Sequence, residues 1–107
     1  MMSMLVAACG SESTGNEDVR RDVCVELVAA RHRYFEQVRE SSSLMIAAAG
    51  LVQDMTAIQD KALGTDLETP ARIAVAGGLR DVDDKSLAFV RECVRLGLLD
   101  ADAVNTP

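Results

Sequence analysis

The feature that most constrains the fold is an apolar seam that runs from residue 44 to residue 62. Its side chains follow one another in alternating steps of four and three residues, at Leu44, Ala48, Leu51, Met55, Ile58 and Ala62. This heptad spacing places all of them on one face of a helix. Ser42 or Ser43 is suited to cap that helix, and Gly64 after Lys61 is suited to end it. We therefore predict an amphipathic helix whose apolar face packs against another helix.

A second long helix is indicated upstream of the seam. Asn16 is a suitable N-cap, with Glu17 and Asp18 in the first turn, where the helix dipole favours acids. The pattern extends to about Arg39, and its apolar stripe contains Val19, Val23, Leu27, Ala30, Tyr34 and Val38. The charged side chains on the rest of this helix are Arg20, Arg21, Asp22, Arg33, Glu36 and Arg39. Such a mixture predicts a solvated face without a binding role.

Two shorter helices are predicted after the seam. The pair Thr69-Pro70 suits the N-cap and first position of a helix, and the pair Gly77-Gly78 is expected to end it. Asp81 or Asp83 is then suited to cap a last helix, which ends before Gly97. The expected inward face of this helix is Leu87, Val90, Cys93 or Val94, and Leu96.

The composition favours helices throughout. Aromatic residues make up 3% of the 107-residue chain, whereas 49% of it is hydrophobic. The core must therefore be filled by aliphatic side chains, Met and Ala, which suit helices better than strands. A chain of this length fits one domain. We predict an all-α, up-down-up-down bundle of four helices, the third short, that spans residues 17–98 and is followed by a frayed polar tail over 99–107.

Charge and motif content exclude several functions. The formal net charge is -6, which opposes binding to the phosphates of nucleic acids. His32, the one histidine in the sequence, has no second ligand at a zinc spacing, and we interpret it as a surface residue. The acidic run from Asp81 to Ser86 lacks the Gly and the terminal Glu of a calcium loop, so we assign it to helix capping. We predict no enzymatic activity, no metal and no cofactor.

The opening residues carry the clearest functional signal. An apolar run from Met4 to Ala8 stops at Cys9, and the order Val6-Ala7-Ala8-Cys9-Gly10 resembles the lipobox of bacterial lipoproteins. In that family the Cys thiol receives a diacylglyceryl group, and a peptidase cuts just before this Cys. The resemblance implies lipidation of Cys9 and anchoring to the cell membrane on its extracytoplasmic side.

Residues 1–8 would then form a signal segment, which is shorter than usual and has no Lys or Arg. We therefore expect the signal to begin upstream of Met1. The stretch from Gly10 to Asp18 has no large apolar residue, which is typical of a flexible tether. Residues 9–16 are accordingly interpreted as the lipidated Cys and its tether. The alternative is an intracellular protein in which small residues precede Cys9 by chance.

The three cysteines of the chain support the exported interpretation. If Cys9 is lipidated, Cys24 and Cys93 remain as an even pair in a compartment where disulfides persist. In an up-down-up-down bundle the first helix begins, and the fourth ends, at the same end, so the two cysteines reach similar heights. We predict that they form a disulfide. Two buried free thiols are the alternative.

The functional prediction follows from this arrangement. We expect a small lipid-anchored cell-envelope protein that acts by contact with a protein partner of unknown identity, its other contact being the membrane that holds the anchor. The alternative is a cytosolic regulatory module that docks a partner helix on the seam of residues 44–62. A bundle that carries a ligand is disfavoured, because the sequence places no polar group clearly in the core.

Overall fold

The computed structural model describes the backbone of residues 2–41 and 43–105, and the side chains of residues 16–41 and 43–105. Within these ranges the chain forms four α-helices and one 3-10 helix, and it has no strand. The helices are α1 (Met2–Ser41), α2 (Leu44–Lys61), α3 (Glu68–Ala76) and α4 (Gly78–Arg95), and the 3-10 helix is η1 (Ala101–Asn105). The all-α prediction is confirmed.

The N-terminal predictions concern residues 1–16. Cys9, the lipobox-like residues and most of the tether precede residue 16, so their side chains lie outside the described residues. Both assignments therefore stay predictions. Asn16 lies within α1 rather than at its N-cap. Glu17 is paired with Arg20 and Arg21 one turn later, and such pairs stabilise a helix without a cap.

Contacts between side chains fix the directions of the long helices. Arg33 of α1 pairs with Asp54 of α2, and Glu26 pairs with Lys61 seven residues further along α2. These two helices are therefore antiparallel. Between α1 and α4, Cys24 lies next to Cys93, and Arg31, which comes later in α1, pairs with Asp83, which comes earlier in α4. Helix α4 is thus also antiparallel to α1.

Short α3 completes the up-down-up-down order. Gly78 has a φ of +64°, a conformation that costs glycine little, and the chain reverses there between α3 and α4. The beginning of α3, at Thr69 and Pro70, lies beside Phe89 and Glu92 in the second half of α4. The two helices are therefore antiparallel, and the predicted topology is confirmed.

The seam of α2 fills the core, as its spacing predicts. Ala48, Leu51, Met55, Ile58 and Ala62 are all buried, and they pack with residues from the other three helices. At the start of α2, the Ser43 side chain accepts a hydrogen bond from the backbone N–H of Ile46 at 3.3 Å. The cap predicted at Ser42 or Ser43 is therefore formed by Ser43.

The predicted starts of α3 and α4 are wrong. Helix α3 begins at Glu68, one residue before Thr69, and buried Leu67 occupies the N-cap position without a side-chain cap. Helix α4 begins at Gly78, directly after the reversal, so Asp81 lies in its first turn and Asp83 in its interior. The buried face of α4 is Val82, Ser86, Phe89, Val90 and Cys93. Leu87, which was predicted to face inward, is half-buried.

The end of α4 is held by a glycine turn. Gly97 has a φ of +78°, its N–H donates to the carbonyl of Val94, and the N–H of Leu98 donates to the carbonyl of Cys93. These two hydrogen bonds form a Schellman motif. Leu98, the apolar residue that follows the glycine in this motif, is buried. Ala103 and Val104 of η1 then pack against the core. The prediction of a frayed tail is therefore wrong up to residue 105, because these small apolar side chains cover core surface.

Candidate functional site

The two cysteines of the bundle meet at one of its ends. Cys24 and Cys93 are fully buried, with their sulfurs 2.17 Å apart and their Cα atoms 6.1 Å apart. This is disulfide-bonding distance, and the Cα separation lies within the range that such a bond requires. The pairing predicted from the sequence is therefore geometrically satisfied, and it joins α1 to α4 across 69 positions of the chain.

An ion-pair network covers the same end. Arg20 donates two hydrogen bonds to the carboxylate of Asp66, at 2.9 and 3.1 Å, and a third to Glu17. The Nζ of Lys61 lies between Asp22 and Glu26, and hydrogen bonds to these two carboxylates raise the pKa of Lys61. The charged face of α1, which was predicted to be solvated and without a binding role, thus ties α1 to α2 and to the loop before α3. We call this end, with the cysteine pair and Leu98, the closed end.

A buried polar cluster joins α1 to α4 nearer the other end. Arg31 is only 6% exposed, and its Nη1 donates to the carbonyl oxygen of Asp83 at 2.8 Å and to its Oδ1 at 2.9 Å. The same nitrogen lies 2.6 Å from Oγ of buried Ser86, which itself donates to the Asp83 carbonyl at 3.0 Å. The guanidinium also lies 5.3 Å from the centre of the Phe35 ring.

Tyr34 is the fourth member of this polar cluster. Burial raises the pKa of its hydroxyl, and so do the charge of Asp83, the hydrogen bond to that carboxylate and the charge of Asp84, whereas Arg31 opposes them. The ring packs edge-on against Phe35, with centroids 5.0 Å apart. Among the described residues, every buried side-chain nitrogen and oxygen has a hydrogen-bond partner. The cluster is therefore compatible with a dry core.

An open groove of about 520 Å³ lies over this cluster. It is lined by Tyr34, Leu44, Met45, Ala48, Leu79, Arg80, Asp83 and Asp84. Three of its apolar side chains are largely open to solvent, with exposures of 62% for Leu44, 70% for Met45 and 50% for Leu79. We call this region, where α2 and α4 both begin, the groove end. It is the candidate functional site.

Sequence reasoning missed the polar cluster. No prediction was made for Arg31, Ser86 was placed only in the run assigned to helix capping, and the core was expected to contain no clearly placed polar group, yet Arg31 and Ser86 are buried. The positions of these two residues in the sequence did indicate that they could be buried. Arg31 follows Leu27 by four positions, and Ser86 follows Val82 by four, so each interrupts an apolar stripe. A polar side chain at such a position can be buried only when a group on another helix forms hydrogen bonds with it. The apolar stripe of one helix does not show where that group is.

The residues that the sequence suggested as possible metal ligands do not form a site. His32 is exposed and lies 3.7 Å from the carboxylate of Glu36, one turn later on α1. Within the described ranges, no group of three or more potential ligands is close enough to hold a metal. The acidic run from Asp81 to Ser86 was assigned to helix capping, and this is wrong. Asp83 and Ser86 instead bind Arg31.

Comparisons with known proteins add no family to this description. No protein-family model matches the chain. No curated protein matches it, and no solved structure matches its fold. Among the described residues, no helix combines the length and the apolar character needed to cross a membrane. The functional proposal therefore depends on the residues and geometry of this chain.

Proposed function

We propose that the protein is a lipid-anchored component of the cell envelope that acts by contact with a protein partner at its groove end. The observation that carries this proposal is the exposed apolar surface of Leu44, Met45 and Leu79 around the groove. Contiguous apolar side chains of this kind, bordered by charged residues, are typical of surfaces that bind other molecules.

The direction of α1 supports contact away from the membrane. An anchor at Cys9 would enter the bundle through the start of α1, and along α1 the closed end comes before the groove end. Tyr34 lies 15 residues after Val19, which corresponds to about 22 Å of helix. A lipid-anchored chain would thus hold its closed end nearer the lipid and present the groove to the space beyond.

The cysteine pair supports the exported interpretation. Cys24 and Cys93 lie at bonding distance, and protein disulfides persist mainly outside the cytosol. With these two residues paired, Cys9 is the one cysteine of the three in the sequence that is left for another role. Its place after Val6-Ala7-Ala8 fits lipidation.

The cytosolic alternative loses its docking surface. It required the seam of α2 to receive a partner helix, but the seam from Ala48 to Ala62 is buried within the bundle itself. Only Leu44, at the beginning of the seam, is exposed. A cytosolic module would have to bind through the groove end as well, with two free thiols held at disulfide distance, and no observation favours it.

Metabolic labelling tests the anchor. The protein is expressed from its natural start codon in a bacterial host that is fed labelled palmitate. We expect label in the wild type and in a Cys24→Ser/Cys93→Ser control, and we expect none in Cys9→Ser. The wild type should also sediment with membranes, whereas Cys9→Ser should not. Equal labelling of the wild type and Cys9→Ser would refute the proposal.

A further inference from the structure

The groove end combines an apolar surface with two carboxylates. Leu44, Met45 and Leu79 form its exposed apolar part. Met is flexible and polarisable, and it adapts to the shape of an apolar partner. Asp83 and Asp84 border the same groove, and Arg80 is the one cation among the residues that line it.

Asp83 is held in place before any partner arrives. Arg31 binds its Oδ1 at 2.9 Å, yet the Asp83 side chain remains 43% exposed. Asp84 is exposed and makes no ion pair among the described residues. Both carboxylates raise the pKa of Tyr34 at the groove floor, and they do so against the opposing charge of Arg31. The residues that line the groove thus carry two carboxylates against one guanidinium, and Asp83, which Arg31 already holds, loses little conformational freedom on binding.

We infer that the groove receives a partner segment that combines bulky apolar side chains with a Lys or Arg, whose cation pairs with Asp83 and Asp84. The apolar side chains cover Leu44, Met45 and Leu79. The cation supplies a partner for exposed Asp84, whereas a purely apolar occupant would take water from this carboxylate without replacing it. This inference rests on the proposed function in one respect, namely that the occupant is a protein.

Charge argues against two other occupants. A second copy of this chain carries the same formal charge of -6 and the same carboxylates at its groove, so pairing the two grooves brings like charges together. A membrane surface with anionic lipids is repelled for the same reason. A basic amphipathic segment meets neither obstacle, and attraction by the acidic chain also speeds its arrival.

Two synthetic peptides test the inference. One is an amphipathic helical peptide of Leu and Lys, the other carries Glu at every Lys position, and each has a fluorescent label. Each is titrated with the purified full-length chain carrying Cys9→Ser, and fluorescence anisotropy reports binding. We expect the Lys peptide to bind at least about tenfold more tightly than the Glu peptide at low salt, and the difference to shrink as salt is added.

Point variants locate the binding surface. Asp84→Asn should weaken binding of the Lys peptide by up to about fivefold, because an exposed ion pair is worth at most about 1 kcal/mol. Leu79→Ser should weaken it by a similar or larger factor through lost apolar contact. Val25→Ser is the matched control, since Val25 is 57% exposed but lies beside Cys24 at the closed end, and this variant should bind like the parent. Circular dichroism confirms that each variant is folded.

Three binding results would overturn the inference. They are equal binding of the two peptides, no binding of either, and a loss of affinity in Val25→Ser that equals the loss in Leu79→Ser. Sedimentation of the chain as a dimer that Leu79→Ser dissociates would also overturn it, because the occupant would then be a second copy. None of these results changes palmitate labelling of Cys9, so failure here is distinct from failure of the lipid anchor.

Discussion

The two ends of the bundle join the same pair of helices by different means. At the closed end, α1 and α4 meet through fully buried Cys24 and Cys93, and Leu98 covers core surface beside them. At the groove end they meet through Arg31, Asp83 and Ser86, beneath apolar side chains that stay exposed. The closed end thus buries the residues that join its helices, Cys24, Cys93 and Leu98, whereas the groove end leaves Leu44, Met45 and Leu79 exposed above its polar contacts.

The difference shows how a small bundle can keep a binding surface. Leu and Met side chains that stay exposed do not contribute the stability that their burial would supply. At the closed end, a cysteine pair and a bidentate Arg20–Asp66 pair supply stability from elsewhere. At the groove end, the polar cluster fixes the spacing of α1 and α4 without filling the groove. Four substitutions or treatments compare the two ends, in order of decreasing effect.

Reduction of the cysteine pair should have the largest effect. A bond across 69 positions stabilises the fold by up to about 4 kcal/mol in the chain-entropy model. Urea unfolding, followed by circular dichroism with and without a phosphine reductant, measures this loss. A Cys24→Ala/Cys93→Ala variant is the control, because its midpoint should not respond to reductant. If the wild-type midpoint is also unchanged by reductant, the closed end is not held by a bond.

Substitution of Arg31 should have the second-largest effect on stability. Arg31→Met removes the hydrogen bonds that the guanidinium donates to Asp83 and to buried Ser86, and we expect a loss of about 2–3 kcal/mol in the free energy of unfolding. Arg33→Met is the matched control on the same helix, because Arg33 pairs with Asp54 in an exposed position and should cost at most about 1 kcal/mol. Equal losses in the two variants would contradict the structural role of the buried cluster.

The third-largest change in stability should come from adding a methyl group at the chain reversal before α4. Gly78→Ala places an L residue at a φ of +64°, and this should cost about 1–2 kcal/mol. Gly50→Ala provides a control of opposite sign. At Gly50 a Cβ would meet its nearest atom at 3.9 Å, and Ala should stabilise the helix by up to about 1 kcal/mol. Urea midpoints that shift in the same direction for both variants would show that backbone conformation is not the cause.

The smallest effect should come from Tyr34, and it depends on pH. The pKa of Tyr34 is raised from its ordinary value of 10.0, so the folded chain holds the phenolic proton more tightly than the unfolded chain does. The stability linked to this proton is present below about pH 10 and is lost as the pH rises through the higher folded pKa. Tyr34→Phe removes this pH dependence, and at neutral pH it costs about 1 kcal/mol through the lost hydrogen bond.

The titration can be followed directly. Tyr34 is the only tyrosine in the chain and there is no tryptophan, so the ultraviolet absorbance of tyrosinate reports this group alone. We expect its midpoint in the folded protein to lie above that in urea. Identical midpoints would show that the groove floor does not shield the hydroxyl.

Some of this architecture could be predicted because it depends on one helix at a time. The seam of α2 has a period that only a buried helical face explains, and residues Ala48 to Ala62 lie in the core. The pairing of Cys24 with Cys93 was predicted from the cysteine count once Cys9 is set aside, together with the order of the helices. Ser43 acts as a cap because a cap bonds to its own helix, here to Ile46.

Other parts of the structure depend on contacts between residues that are far apart in the sequence. The apolar stripe of a single helix does not show such contacts. Arg31 is buried because Asp83 lies opposite it, 52 positions further along the chain. The start of α4 was misplaced because Asp81 and Asp83 look like caps, while the reversal at Gly78 already begins the helix. The tail was predicted to be frayed from its polarity, but Ala103 and Val104 find core surface at the closed end.

The position of the two cysteines also determines what a cut in the backbone can release. A bond between Cys24 and Cys93 closes a covalent ring that contains all of α2 and α3 and both of their loops. A protease that cleaves once inside this ring, for example in the exposed stretch around Leu63 and Gly64, leaves its two fragments joined through sulfur. The nicked chain would migrate as one species until reductant is added, and its groove would keep residues contributed by both fragments.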